Sequence, residues 1–259
     1  MIYIYDGSWD GLMCVVSRVA NDRKFPDDVM RIAKDAPILL ECERIENDSA
    51  IASAAEKTLR RRVPSDFLYD VWLALLSDAS GVDGAILRAL SMVWKKGKHG
   101  MADLANPYMK LLQNAVRRTG AEHNKFLGVT RFCDVGGIFY APIEPDCDIL
   151  PLLAGHFAAR LSDQGWVIHD LRRKKAAVFD TKSWIVTDMN LPAPPLSTEE
   201  DEDIQALWRE FYKSTTTRER LNPKVQRGNM PKKYWKHITE NPQDFPNVTV
   251  LSYPSGKNE

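Results

Sequence analysis

The sequence is most informative first in what it lacks. Thirty-five Lys and Arg balance thirty-five Asp and Glu, so the formal charge is zero and no whole-chain electrostatic argument for a nucleic-acid partner exists. Cysteine is scarce: the four at 14, 42, 133 and 147 stand alone, with no C-x-x-C pair. A disulfide framework, a zinc site or an iron–sulfur cluster within the chain is therefore not expected. No apolar run approaches the length of a membrane span, and the opening Met1-Ile-Tyr-Ile-Tyr5 lacks the basic start of a secretory signal. The expectation is a reduced, cytoplasmic protein without membrane contact. No P-loop, G-x-G-x-x-G, G-x-S-x-G, H-E-x-x-H or deaminase pattern occurs, and no repeat period recurs, so the sequence names no reaction and no solenoid.

What is present is a well-stocked core: 44% hydrophobic residues and seven tryptophans in 259 positions. Ile2–Tyr5 reads as a strand, and Ser8 or Asp10 caps a helix over 9–20. Pro37–Glu41 is a further strand candidate. Asn47 or Asp48 opens a helix over 49–62 that ends in Arg60-Arg61-Arg62. Three arginines there suit the helix dipole, or alternatively a phosphate. From 64 to 119 the pattern is helical throughout, with Ser65 and Asp66 as capping residues, helices over 67–76 and 82–94, and a break at Gly97–Gly100. A third helix starts at Asn106-Pro107 with Met109, Leu112, Val116 and Leu111 facing inward; its end carries Arg117 and Arg118, with His123 and Lys125 just beyond.

The segment 123–180 organises the rest. Apolar runs 126–132 and 138–141 flank Asp134-Val-Gly-Gly137, whose paired glycines suit a tight hairpin. Asp148 caps a helix in which Ile149, Leu150, Leu153, Phe157 and Leu161 form one stripe, with His156 and Arg160 inside it. Runs 166–169 and 176–179, joined by Leu171–Lys175, form a second hairpin. A buried Arg160 requires a carboxylate or phosphate partner, because an unpaired charge there is untenable. Two alternatives stand: His156 and Arg160 satisfied at the helix end, or a polar site of Glu144, His156, Arg160, His169 and Asp170. Glu144, Asp146 and Asp148 invite a metal reading, but Pro145 and a capping role for Asp148 explain them more simply, so no metal is assigned. His169 and Asp170 are adjacent on a strand and point to opposite faces, which places them poorly as a dyad.

The C-terminal third holds the charge asymmetry. Between Lys213 and His237, eight Lys and Arg face Glu219 alone, +7 against −7 for the remainder. Lys224, Arg227, Lys232, Lys233 and Lys236 interleave with Tyr234 and Trp235. Cations for phosphates and rings for bases are what single-stranded or distorted nucleic acid requires; the alternative is an arm anchored by Trp235. Ile204, Leu207, Trp208 and Phe211 suggest the buried stripe of the preceding helix.

The expected fold is α+β: a small α/β element (1–62), a helical region (63–120) and a hairpin–helix–hairpin α+β unit (121–188). A Pro-rich linker (189–197), a helix with basic–aromatic arm (198–240) and a flexible tail (241–259) follow. Catalytic candidates are Glu144, His156, His169 and Asp170. Nucleic-acid candidates are Arg117, Arg118, Lys125, Arg160, Lys224, Arg227, Lys232, Lys233, Tyr234, Trp235 and Lys236.

Particular phrases carry a resemblance: Tyr5-Asp-Gly-Ser-Trp-Asp-Gly11, Tyr140-Ala-Pro-Ile-Glu-Pro-Asp146 with Leu150-Pro-Leu-Leu153 and His156-Phe157, Trp166-Val-Ile-His-Asp170, and Asn222-Pro223 with Gln226-Arg227 and Met230-Pro-Lys-Lys-Tyr-Trp-Lys236. Together, over nearly the whole chain, they resemble a bacterial family assigned to DNA metabolism or repair, of unknown biochemistry. Its members are encoded beside a radical S-adenosylmethionine protein and are sometimes fused to a uracil-DNA glycosylase superfamily domain. The resemblance implies a nucleic-acid-binding accessory protein that presents DNA, or RNA, to that partner, which carries the iron–sulfur cluster and S-adenosylmethionine; no cofactor is expected in this chain. A hydrolase or nuclease, and an adaptor that binds protein alone, are the alternatives. At 146–148 the chain reads Asp-Cys-Asp where the family pattern leads one to expect an acidic–His phrase, which weakens a histidine role at position 147.

Overall fold

The computed structural model describes residues 1–32, 42–192, 206–207 and 231–237. The chain divides into two compact units. The first comprises Met1–Glu122 with Asp146–Asp148; the second comprises His123–Pro145 and the chain from Ile149 onward.

In the first unit, β1 (Ile2–Tyr5) is the central strand of a parallel sheet ordered β2–β1–β3, with β2 at Asp28–Arg31 and β3 at Cys42–Arg44. Tyr3, Ile4 and Tyr5 are all buried because a central parallel strand is covered on both faces. The expected strand at 37–41 lies outside the described residues, whereas β2 and β3, short and weakly patterned, escaped the sequence reading. Ser8 caps α1 (Trp9–Asp22) by accepting from the Gly11 amide at 2.9 Å. The Asp-Gly-Ser turn has a physical logic. Gly7 adopts φ +80, and a Cβ on Gly11 would stand 2.2 Å from Asp6 Oδ1, so only glycine fits. Burial alone would raise the Asp6 carboxyl, but hydrogen bonds from Ser8 and Asn47 hold it below its ordinary value.

Asp48 caps α2 (Ser49–Leu59) through the Ala50 and Ile51 amides, which stops three residues short of the expected end. Arg60 turns back onto Glu56 and Arg62 lies over the Trp94 ring, so two of the three arginines serve the helix end and its packing. α3 (Ser65–Leu76), α4 (Val82–Lys96), the short α5 (Lys98–Met101) and the start of α6 (Pro107–Val129) complete the unit. Ser65 does not cap α3; Pro64 occupies that position without a side-chain hydrogen bond. Asn106 caps α6, accepting from the Tyr108 amide at 3.0 Å. Met109 and Leu112 are buried as expected, beside Phe67, Val71, Ile86, Leu90, Tyr3 and Tyr5, so residues expected in separate elements 1–62 and 63–120 share one core. Against this core Asp83 accepts from Tyr5 Oη (3.0 Å) and from Arg31 Nε and Nη2 (2.8 and 2.7 Å). That buried charge is thereby paired. Glu122 accepts from the amides of Asp146 and Cys147 (2.9 and 2.7 Å), and burial pushes the Cys147 thiol up to about 11.

α6 runs 23 residues, through His123 and Lys125 to Val129. The expected strand over 126–132 is therefore corrected: Phe126–Val129 is helix. The hairpin remains, but its first strand is only β4 (Cys133–Asp134), paired antiparallel with β5 (Phe139–Ile143). Gly136 (φ 65) and Gly137 (φ 88) form its turn, closed by Val135 N to Ile138 O at 2.9 Å. β5 leads through α7 (Leu150–Arg160) to a parallel neighbour, β6 (Trp166–Asp170); β7 (Lys175–Phe179) and β8 (Trp184–Asp188) follow antiparallel, giving the order β4–β5–β6–β7–β8. α7 packs on β6, β7 and β8, with Leu150, Leu153, Ala154 and Phe157 buried. Its N-cap is Ile149 with no side-chain cap, so the capping role given to Asp148 is corrected. Trp166, fully buried, stacks on Phe179 at 5.3 Å. The architecture is α+β. No helix among the described residues is long and apolar enough to cross a membrane.

Candidate functional site

Strands β5 and β6 are parallel and end together, Ile143 opposite Asp170. In open sheets the carboxyl ends of parallel strands are where side chains and loops converge. Here that end carries Glu144, the first residue after β5, and the β6–β7 turn Leu171–Lys174.

Glu144 holds the C-terminal segment. Residues Lys232–His237 form a 3₁₀ turn whose Lys236 Nζ pairs with Glu144 and whose His237 Nε2 lies 3.0 Å from the same carboxylate oxygen. The hydrogen bond from Lys236 chiefly, with that of His237, lowers the Glu144 carboxyl against the opposing effect of burial. The aromatic residues of this segment face inward. Tyr234 meets Phe126 edge-on at 5.0 Å and Trp235 is 8% exposed, with Lys232 Nζ over its ring. Their expected role as stacking platforms is thus corrected in this structure: burial takes the rings away from any incoming base, and they anchor the segment instead. The crevice between Tyr234, His237, Glu144 and Phe126 has a volume of about 10 Å³, room for no more than a water molecule.

Asp170 is fully buried and accepts from the amides of Arg172 and Arg173 (3.0 Å each) and from Arg173 Nη1 (3.0 Å), which also donates to the Pro145 carbonyl. Asp170 therefore shapes the turn, and through Pro145 the turn borders the loop that carries Glu144. Arg172 and Lys174 are exposed there. His169 is also buried: Nδ1 accepts from Tyr140 Oη at 2.7 Å and Nε2 donates to the Met189 carbonyl at 3.2 Å. Burial pushes the Tyr140 hydroxyl up to about 12. As strand alternation anticipated, His169 and Asp170 do not bond each other, and neither lines the crevice beside Glu144.

The remaining candidates are dispersed. Arg160 is exposed at the last residue of α7, so the buried placement is corrected: the helix ends there, and its final turn leaves the apolar stripe. His156 is half-buried, with Nε2 unpartnered among the described residues. Arg117 and Arg118 are exposed on the part of α6 belonging to the first unit; Lys125 is half-buried on the part belonging to the second. Lys224, Arg227 and the side chain of Lys233 lie outside the described residues. Leu207, expected in a buried stripe, is 71% exposed, while Ile204, Trp208 and Phe211 lie outside the described residues, as does the tail at 241–259. Among the described residues no three His, Cys, Asp or Glu side chains gather as metal ligands, and all four cysteines are free thiols. Sequence reasoning missed His237, Arg172, Arg173 and Lys174. The signal for the last three was present in the basic turn of the second hairpin; His237 had none, because its partner is 93 residues away.

Residues 80–240, more than half of the chain, match the family model described as a domain of unknown function, DUF4130. The chain belongs to the DUF4130 family. The DUF4130 match takes in α4, all of the second unit's strands, α7 and the 3₁₀ segment with Glu144's partners. No curated protein matches this DUF4130 chain.

Proposed function

We propose that this DUF4130 protein is a nucleic-acid-binding accessory protein of a DNA modification or repair system, which holds DNA and presents it to a radical S-adenosylmethionine partner. The supporting observation is the cation-rich end of the second unit's sheet. Arg172, Lys174, Lys232 and Lys236 are exposed on backbone that Asp170, Glu144 and the buried Tyr234 and Trp235 hold in place. Exposed cations carried on anchored backbone suit a polyanionic strand, whose phosphates need charge at defined spacing and no cavity. DNA and the radical partner come from the family resemblance. In this reading the partner carries the cluster and S-adenosylmethionine, this chain carries no cofactor, and free thiols fit a reducing cytoplasm.

One observation favours a second reading, a hydrolase or nuclease. The Glu144–His237 pair, carboxylate against imidazole at 3.0 Å, is an arrangement that orients a general base.

The test is binding of a single-stranded oligonucleotide, followed by anisotropy over a series of salt concentrations. Arg172→Glu with Lys174→Glu should weaken binding by roughly tenfold or more and reduce the log–log salt slope by about 1.4, two phosphates' worth. Unchanged affinity, or binding insensitive to salt, rejects the assignment. Co-purification with the radical protein but no DNA binding would leave a protein-only adaptor; strand cleavage abolished by His237→Gln would establish the enzyme.

A further inference from the structure

The first unit contains a cavity of about 180 Å³ that the reading above does not use. Its walls are the chain from Phe25 to Val29, the first turns of α4 and the start of α6. Arg88 on α4 makes cation–π contacts with two rings, Phe25 at 5.3 Å and Tyr108 at 5.1 Å. Among the described residues its guanidinium makes one hydrogen bond, a long one of 3.4 Å to the Pro26 carbonyl, and no ion pair. Asp28 lines the same cavity. Its Oδ1 accepts from the Val29 amide at 2.8 Å, and it too forms no ion pair among the described residues. A cation and an anion thus share one cavity without bridging each other. The two rings hold the first and the local backbone the second.

Three ligand classes fit this lining poorly. An anion would meet Asp28 and Asp27, and a cation would meet Arg88. A purely apolar molecule would strip water from both charges without replacing their hydrogen bonds. A neutral, planar group with acceptor and donor side by side satisfies both, and the Phe25 and Tyr108 rings beside Arg88 suit such a group better than a zwitterion. The volume sets the size, since it lies below the roughly 300–1,000 Å³ of pockets that take drug-sized molecules. One ring system fits, and the exposed Tyr108 borders the same cavity.

We infer that this cavity binds a nucleobase, with Arg88 donating to a ring acceptor and Asp28 accepting from a ring N–H or exocyclic amine. The inference deepens the nucleic-acid reading and rests on it only for where the ring comes from: a free nucleoside or nucleotide, or an unstacked base of a strand. In the second case the energy of unstacking must be recovered from these contacts.

Cytidine, guanosine, adenosine and thymidine, titrated separately against the full chain by calorimetry and saturation-transfer NMR, test it directly. At least one should bind, and Arg88→Met and Asp28→Asn should each weaken that nucleoside by roughly tenfold or more, the discrimination that a hydrogen-bonded base edge supports. Arg88→Met keeps an aliphatic stem beside the rings. Should it nevertheless unfold the protein, Asp28→Asn, at an exposed position, still decides the matter. A single strand carrying one 2-aminopurine separates the sources. Fluorescence that rises on binding and depends on Asp28 assigns a strand base, whereas nucleoside binding with an unresponsive strand assigns a free nucleoside. No binding by any of the four together with an unresponsive strand overturns the inference, as does binding that neither substitution alters. The outcome is separable from that of the basic edge, because Arg172→Glu with Lys174→Glu should leave nucleoside binding unchanged.

Discussion

Buried histidines expose the limits of reading polar residues from pattern alone. His169 sits fully buried because Tyr140 and Met189 satisfy both ring nitrogens, whereas the Nε2 atoms of His123 and His156 are buried without a partner among the described residues. Burial foremost, and then the nearby His156, lowers the His123 imidazole below 6.5; a hydrogen bond with the Leu152 backbone opposes them only in part. The unfolded chain therefore binds this proton more readily than the folded one. The neutral ring contributes stability above pH 6.5 that is lost as the pH falls through the lower folded value. Thermal melting from pH 7.5 to 5 should show wild type losing stability more steeply than His123→Gln. Parallel curves for the two proteins would show that the ring takes up its proton in the fold without cost.

Elements, rather than residues, account for the displaced expectations. The apolar run 126–132 admits helix or strand equally well by periodicity. What decides is the length of α6, whose face presents Met109 and Leu112 early and Phe126 late. The basic–aromatic segment shows the same ambiguity. Tyr and Trp between lysines suit base stacking, but here they are the buried side of a 3₁₀ turn, with Lys232 and Lys236 exposed on it. Tyr234→Ala should remove the Phe126 contact at a cost of about 3 kcal/mol to the local docking of this turn. Hydrogen exchange measured by mass spectrometry should then quicken over 231–237 while β6 and β7 keep their protection. Unaltered exchange in the turn would mean that Glu144 alone secures it.

At the scale of the whole molecule, charge is the governing quantity. A net of zero and an isoelectric point near 7.0 leave little long-range repulsion between copies, while +7 in residues 213–237 and −7 elsewhere favour attraction between unlike regions. Solubility at low salt should pass through a minimum near pH 7 and recover with added salt. Precipitation midpoints in polyethylene glycol across pH 5–9 measure this; a monotonic trend would show that the charge asymmetry does not govern association.

The sequence by itself determined what local chemistry controls. Helix starts at Ser8 or Asp10 and at Asn47 or Asp48, the Gly136–Gly137 turn, the stripe of α7 and the hairpin of β6 and β7 all follow from dihedral preference and apolar spacing, which act over a few residues, and the structure selects Ser8 and Asp48 as the caps. Only the tertiary structure decided which polar groups meet. Glu144 finds His237, Tyr5 and Arg31 find Asp83, and Arg88 and Asp28 come to line one cavity. It also decided that Arg160 faces solvent and that Tyr234 does not. The physical reason is range: caps and turns are satisfied by neighbours in the chain, while the partner of a buried charge or ring is whatever distant segment packing brings against it.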